Sequence, residues 1–199
     1  MQLNILRGSV RWLNPAGYRI NNQRFWTAIE FLSTGKQGTV ELGGKYNISR
    51  WKERIYIYRS VDLEWQQSVN PEETVEIPGY GSIEVELKRR CDCILPPPQG
   101  VLYCDYRKLR PGPFTVRPAT EGDKIIPYGM SGHRKVSDIF READLPPHRR
   151  NYPVVTFKDR IVAIPALRIA EEFKLDSDTQ QVVAFKLTLS RDKTYYKDT

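Results

Sequence analysis

The stretch Phe114-Thr-Val-Arg-Pro-Ala-Thr-Glu-Gly-Asp-Lys-Ile-Ile-Pro127, continued by Tyr128-Gly-Met-Ser-Gly-His-Arg-Lys135 and Val136-Ser-Asp-Ile-Phe-Arg-Glu-Ala143, decides how this chain is read. Phe114, Val116 and Ile125 are strand residues, and Glu121-Gly122-Asp123 interrupts them as a tight turn. Gly129 and Gly132 flank a loop that runs into three potentially cationic side chains, His133, Arg134 and Lys135. Val136, Ile139, Phe140 and Ala143 recur at helical spacing, which predicts a two-turn helix packed by that face on a sheet. The start of such a helix offers exposed backbone N–H groups. With Arg134 and Lys135 alongside, the junction reads as a phosphate receptor. Pro146-Pro147 then stops the helix before a His148-Arg149-Arg150 corner. Val154, Val155 and Phe157 face Ile161, Val162 and Ile164 across Lys158-Asp159, a predicted hairpin, and Arg168 follows.

Charge is concentrated around the same stretch. Thirteen Lys and Arg lie between Arg107 and Arg168 against six Asp and Glu, so this window carries the whole net charge of +7 in the 199-residue chain. A local basic excess suits an anion-binding face, because affinity for phosphate grows with each counterion displaced. No apolar run approaches the roughly 20 residues of a membrane span. No charged-then-apolar leader opens the chain, so a cytoplasmic location is expected. The cysteines, Cys91, Cys93 and Cys104, are odd in number and have only His133 and His148 as additional ligands. Reduced, buried or half-buried thiols are expected rather than disulfides or zinc. Cys91 and Cys93, two apart, would share a face in a strand.

Working outward towards the N-terminus, residues 1–34 read as two helices. Asn21 or Asn22 caps the second, Phe25, Ala28, Ile29 and Leu32 form its apolar face, and Gly35 ends it. The period then changes to two. Gly43-Gly44 reads as a two-residue hairpin turn, and Arg54-Ile-Tyr-Ile-Tyr58 as a strand. Trp51, Tyr56 and Tyr58 are assigned to a core. Further strands are expected at Thr74–Ile77, Ser82–Leu87 and Val101–Tyr106, with Pro96-Pro97-Pro98 a stiff connector. Lys88-Arg89-Arg90 reads as a solvated strand end, with an extension of the phosphate-binding face as the alternative. Val182, Val183, Phe185 and Leu187 form a last strand before a polar tail. The fold class is α+β and β-rich: a small N-terminal helical element, then mostly antiparallel sheets with a few short helices. The expected divisions are 1–37 helical, 38–113 a β-rich connecting region, 114–190 the binding domain, and 191–199 the tail.

The Gly122-Asp-Lys-Ile-Ile-Pro127 turn, the glycine loop with Arg134-Lys-Val-Ser-Asp-Ile-Phe140, the Pro-Pro-His-Arg-Arg corner, and Pro153-Val-Val through Ala166-Leu-Arg-Ile-Ala170 occur in a recognisable order. Together they resemble the C-terminal substrate-binding domain of bacterial tRNA(Ile)-lysidine synthases, over about residues 114–173. Residues 18–59 resemble that family's preceding linker less strongly. The resemblance implies a β-rich fold with a few helices, of the kind also found in phenylalanyl-tRNA synthetase β subunits. It implies that the chain grips the body of tRNA(Ile), notably the acceptor stem. A separate N-terminal catalytic domain would use ATP and magnesium to convert the wobble cytidine to lysidine. That domain's signature, a Ser-Gly-Gly-x-Asp-Ser loop, does not occur here, and no nucleophile with a base or paired carboxylates can be found. The chain is therefore expected to be non-catalytic, a part of such an enzyme without its catalytic domain, and to hold no cofactor or metal of its own.

The candidate tRNA-binding residues are Lys124, His133, Arg134, Lys135, Arg149 and Arg150, with Arg117 and Arg168 behind them. Arg117 and Arg168 have a competing structural reading, as ion pairs with Glu121, Asp123 or Glu171. A rival function is a protein-interaction or dimerisation module whose basic charge is incidental.

Overall fold

The structure is a computed structural model that describes residues 21–59, 64–78, 80–146, 149 and 152–189. The predicted first helix, the polar tail, His148 and Arg150 lie outside the described residues. Packing divides the chain into two compact units, Met1–Asp62 with Leu145–Arg150, and Leu63–Asp144 with Asn151–Thr199.

In the first unit the expected helix forms as α1 (Asn22–Ser33). Asn21 caps it, its side chain accepting a hydrogen bond from the Arg24 N–H at 2.9 Å. Gly35 follows its end at φ +70°, a conformation that costs glycine little. Phe25 and Ala28 are buried on Leu42, Tyr46 and Ile48, with Ile29 and Leu32 half-covered beside them. The last three buried residues come from a three-stranded antiparallel sheet, β1 (Gly38–Gly43), β2 (Tyr46–Trp51) and β3 (Arg54–Arg59). The β1–β2 turn lies one residue later than expected, on Gly44 (φ +58°) and Lys45 (φ +68°). Gly43 is instead taken into the strand, where a register shift after Glu41 keeps both Leu42 and Tyr46 on the buried side. Trp51, Tyr56 and Tyr58, assigned to a core by the sequence, are only half-buried; among the described residues α1 is the one α-helix of this unit.

The second unit is built on two antiparallel sheets. One has five strands in the order β13-β12-β11-β8-β4, formed by β4 (Gln67–Val69), β8 (Phe114–Pro118), β11 (Pro153–Phe157), β12 (Arg160–Ile164) and β13 (Arg168–Ile169). The other has four in the order β5-β6-β14-β7, formed by β5 (Thr74–Ile77), β6 (Gly81–Arg89), β7 (Val101–Asp105) and β14 (Gln181–Leu189). The fold is thus β-rich with few helices and antiparallel sheets, as expected. Phe114 of the first sheet meets Phe185 of the second edge to face at 5.2 Å, and both are fully buried.

The continuous apolar runs are the innermost strands. All five residues of β11 and four of five in β12 are buried, and β14 is paired on both edges. Lys158 and Asp159 turn the β11–β12 hairpin with φ of +49° and +61°. Strands from 64–113 pair directly with strands from 114–189: β4 with β8, and β6 and β7 with β14. Packing therefore groups 64–113 with the expected binding domain, whereas the sequence reading had placed a boundary between them.

Cys91 and Cys93 sit in and after a 3₁₀ turn over Arg90–Asp92, not in a strand, and Cys91 is exposed. Cys93 is half-buried and Cys104 fully buried; in both, burial pushes the thiol pKa up. Lys88 and Arg89, at the end of β6, are held by Glu86 and Asp92.

Candidate nucleic-acid interface

The central stretch folds as a short ribbon leading into a helix. Asp123 closes the turn, its N–H donating to the Thr120 carbonyl at 3.2 Å, and Gly122 takes φ +93°. β9 (Lys124–Ile125) pairs antiparallel with β10 (Arg134–Lys135), and α2 (Val136–Glu142) follows without a break. Val136, Ile139 and Phe140 of α2 are buried, whereas Ala143, expected on the same face, is exposed just past the helix end. Phe140 packs on Tyr152, whose hydroxyl donates to the Pro165 carbonyl at 2.9 Å.

The register of the ribbon sorts its cations. Lys135 stands directly opposite Lys124, and Arg134 opposite the buried Ile125. Opposed residues of an antiparallel pair project from the same face, and successive residues from opposite faces. Arg134 thus points away from the lysines, and there it is ion-paired with Glu142 of α2. Lys124 and Lys135 share the other face, both exposed and without an ion pair among the described residues. Two like charges directly opposite one another cost the ribbon roughly 0.2–1 kcal/mol. An anion set between them would remove that cost.

Lys124 and His133 also line a cavity of about 550 Å³. Its apolar wall is Ile125, Ile126, Ile161 and Ala170, and Arg160 and four carboxylates border it. Three of those carboxylates are already engaged. Asp123 holds Arg117, Glu172 holds Arg160 at 2.7 Å, and Glu171 accepts from the Gly129 N–H at 2.7 Å and from Lys174. The fourth, Asp159, is exposed at the hairpin tip. His133 is exposed and makes no ion pair among the described residues.

Of the other described candidates, Arg117 and Arg134 are already committed to ion pairs. Arg117 forms a two-pronged pair with Asp123 at 2.8 and 2.9 Å, the structural alternative raised by the sequence. Burial pushes the Asp123 carboxyl up, but Arg117 and the Thr120 N–H outweigh it, so its pKa lies below the ordinary value. Arg168 does not pair with Glu171; it is exposed, donates to the Leu167 carbonyl, and borders a separate cavity of about 180 Å³ next to Glu142. Arg149 is half-buried in the first compact unit. At the helix start, α2 has only seven residues, and the Val136 N–H is already bonded to the Asp123 carbonyl at 3.0 Å.

Elsewhere in the basic window, Arg107 and Lys108 are held by Asp105 and Asp176, and Arg141 by Asp138. Among the described candidates, the ribbon carries Lys124 and Lys135 without an ion pair, with the exposed His133 next to them. Sequence reasoning passed over Tyr128 and Met130 in the loop between the strands, both of them exposed. Their signal was two large apolar residues beside glycines with no periodic partner.

The family model described as "TilS substrate C-terminal domain" matches residues 114–185, the span that contains the ribbon, its cavity and strands β8 and β11 to β13. Over this span the chain is similar to the C-terminal region of tRNA(Ile)-lysidine synthases. Among lysidine synthases similar to it, that of Clostridium acetobutylicum is 36% identical over 75 residues, covering 37% of this chain and 16% of that protein. That of Methylococcus capsulatus is 27% identical over 171 residues, 82% of this chain and 36% of its own. The Bacillus subtilis relative is 32% identical over 133 residues, 64% and 27% respectively. The chain thus spans little more than a third, at most, of these lysidine synthases. A crystal structure of a TilS C-terminal domain superposes with a TM-score of 0.56 at 21% identity, covering 64% of this chain and 98% of that one, which shows a shared fold. Among the described residues no helix is long and apolar enough to cross a membrane, and no His, Cys, Asp or Glu cluster could hold a metal ion.

Proposed function

We propose that this chain is the tRNA-gripping part of a cytoplasmic tRNA(Ile)-lysidine synthase, holding the body of tRNA(Ile) while another domain modifies the wobble cytidine. The observation that carries the reading is the unpaired Lys124–Lys135 couple on one face of the ribbon, with the exposed His133 next to it, within the family-matched span. A-form stems hide their base edges in a deep groove, so a protein grips them through phosphates and 2′-hydroxyls. Opposed ammonium groups on a stiff ribbon suit two phosphates or one shared phosphate oxygen. Arg168, Arg149 and Arg150 extend the grip. Arg117 and Arg134 contribute by fixing the turn and the helix.

ATP and magnesium belong, in this proposal, to the catalytic domain. The residues present here do not fit that role, since no Ser-Gly-Gly-x-Asp-Ser loop occurs and no step of the chemistry is assigned to this chain. The test is a titration of the chain with a tRNA(Ile) transcript, and with a DNA duplex of equal length, at low and physiological salt. Preferential tRNA binding that weakens with salt is expected; equal affinity for both would reduce the reading to non-specific charge attraction. A protein-interaction role is favoured by one feature, the adjacent Ile94 and Leu95 at 69% and 52% exposure. A partner that competes with tRNA for the chain would support it.

A further inference from the structure

We infer that Tyr128 is a stacking platform for one unpaired nucleobase of the bound RNA, assisted by Met130; this rests on the RNA-gripping reading above. Tyr128 is 60% and Met130 44% exposed. Single exposed apolar residues are common on protein surfaces and mean nothing by themselves. These two differ in being held out by a loop whose backbone is tied down. The Tyr128 N–H donates to the Ile169 carbonyl at 2.9 Å, the Gly129 N–H to the Glu171 carboxylate at 2.7 Å, and the Met130 N–H to the Pro127 carbonyl at 3.0 Å. Pro127 itself is bridged to Ala170. None of these bonds uses a side chain of the loop, so the fold does not need the tyrosine ring or the methionine thioether. The Tyr128 hydroxyl forms no hydrogen bond among the described residues.

The surroundings suit a nucleic acid. The loop joins the two strands that carry Lys124 and Lys135, and it ends on His133, so the ring stands within a ribbon bearing two unpaired lysines and an exposed imidazole. Space is also available. Gly129 needs its φ of +82°, but Gly132 has no such requirement, and a Cβ added at either would meet nothing within 4 Å. Tyrosine supplies a large rigid face at small conformational cost, since only two torsions are ordered. Bases inside a paired stem have both faces covered by their neighbours. An exposed ring beside phosphate-binding lysines can therefore stack only on a base that lies at the end of a stem or outside one.

The test compares two RNA hairpins of the same stem, one blunt and one with a short single-stranded tail carrying 2-aminopurine, bound to the full chain. Wild type is expected to quench the 2-aminopurine and to prefer the tailed hairpin. Tyr128→Ala should abolish the quench and weaken the tailed hairpin about 10-fold while leaving the blunt one unchanged, in the range found for removal of a stacking aromatic. Tyr128→Phe should behave as wild type, because the ring and not the hydroxyl is used. Equal weakening of both hairpins by Tyr128→Ala, no weakening of either, or a Tyr128→Phe defect as large as that of alanine would each overturn the platform. Lys124→Gln with Lys135→Gln separates the two levels. Loss of affinity for both hairpins there, with no Tyr128 effect, removes the platform alone. No effect of the lysines removes the RNA reading and the platform with it.

Discussion

Replacing Lys124 and Lys135 together by glutamine should change the salt dependence of tRNA binding more than any other pair of substitutions in the basic window. The magnitude follows from which cations are free. Each ammonium that displaces counterions from a phosphate contributes about 0.7–0.9 to the slope of log affinity against log salt, so two lysines contribute roughly 1.4–1.8. Between 50 and 200 mM salt that slope is about a 7- to 12-fold change in affinity, so the variant should lose most of its disadvantage as salt rises. Arg134, one residue before Lys135, should behave differently. Its guanidinium is ion-paired with Glu142 and lies on the other face of the ribbon, so Arg134→Gln should lower the slope by far less than one phosphate's worth. The assay is fluorescence anisotropy of a labelled tRNA(Ile) transcript at four or five salt concentrations, with each variant's thermal transition recorded beside it. A fall for Arg134→Gln as large as that for the lysine pair would refute the argument from register. So would an unchanged slope in the double lysine variant.

Three further outcomes test the scaffold. Phe114→Ala removes a fully buried ring packed on Phe185 and Phe157 and should cost about 3–5 kcal/mol in urea unfolding; a loss below about 1 kcal/mol would mean the two sheets do not meet there. Asp123→Asn breaks the Arg117 pair, which is partly covered, and should cost about 1–3 kcal/mol. Because the folded pKa of Asp123 is lowered, the pair's contribution is complete above the unfolded carboxylate value of about 4 and is lost as pH falls towards the folded one, so wild type and variant should converge in stability on acidification. In thiol labelling near neutral pH, Cys91 should react first, the half-buried Cys93 more slowly, and Cys104 only on unfolding, as counted by mass spectrometry; early reaction of Cys104 would contradict its burial.

The parts of the fold legible in the sequence were those with one dominant local signal. Val154–Phe157 and Ile161–Ile164 are apolar almost throughout and form strands covered on both faces, and Lys158-Asp159 is a turn because no apolar residue interrupts it. Asn21 and Gly35 bracket α1 because caps are local chemistry. β4 was missed because three residues, Gln67-Ser-Val69, carry too little pattern, and their strand state comes from pairing with β8 some 45 positions later. The same non-locality hid the extent of the unit. Nothing within 64–113 announces that β6 and β7 will flank β14, since a strand's partners are chosen by complementary faces across the whole chain.

For the proposed site, composition pointed to the basic stretch but not to which of its charges stand without a partner. A count of Lys and Arg treats Arg134 and Lys135 as equals. The pleat separates them, because adjacent residues of a strand project to opposite sides, and the side facing α2 supplies a carboxylate while the outer side does not. The same holds for Arg117, which lies six residues from Asp123 across a turn that brings the two together. Neutral pairs of this kind stabilise the frame and drop out of long-range attraction, whereas the opposed lysines act against the frame and remain available to a ligand. Two paired two-residue strands thus hold two repelling ammonium groups face to face and neutralise the neighbouring arginine with a carboxylate of the helix, which leaves the lysines as the charge to which an external anion would add attraction.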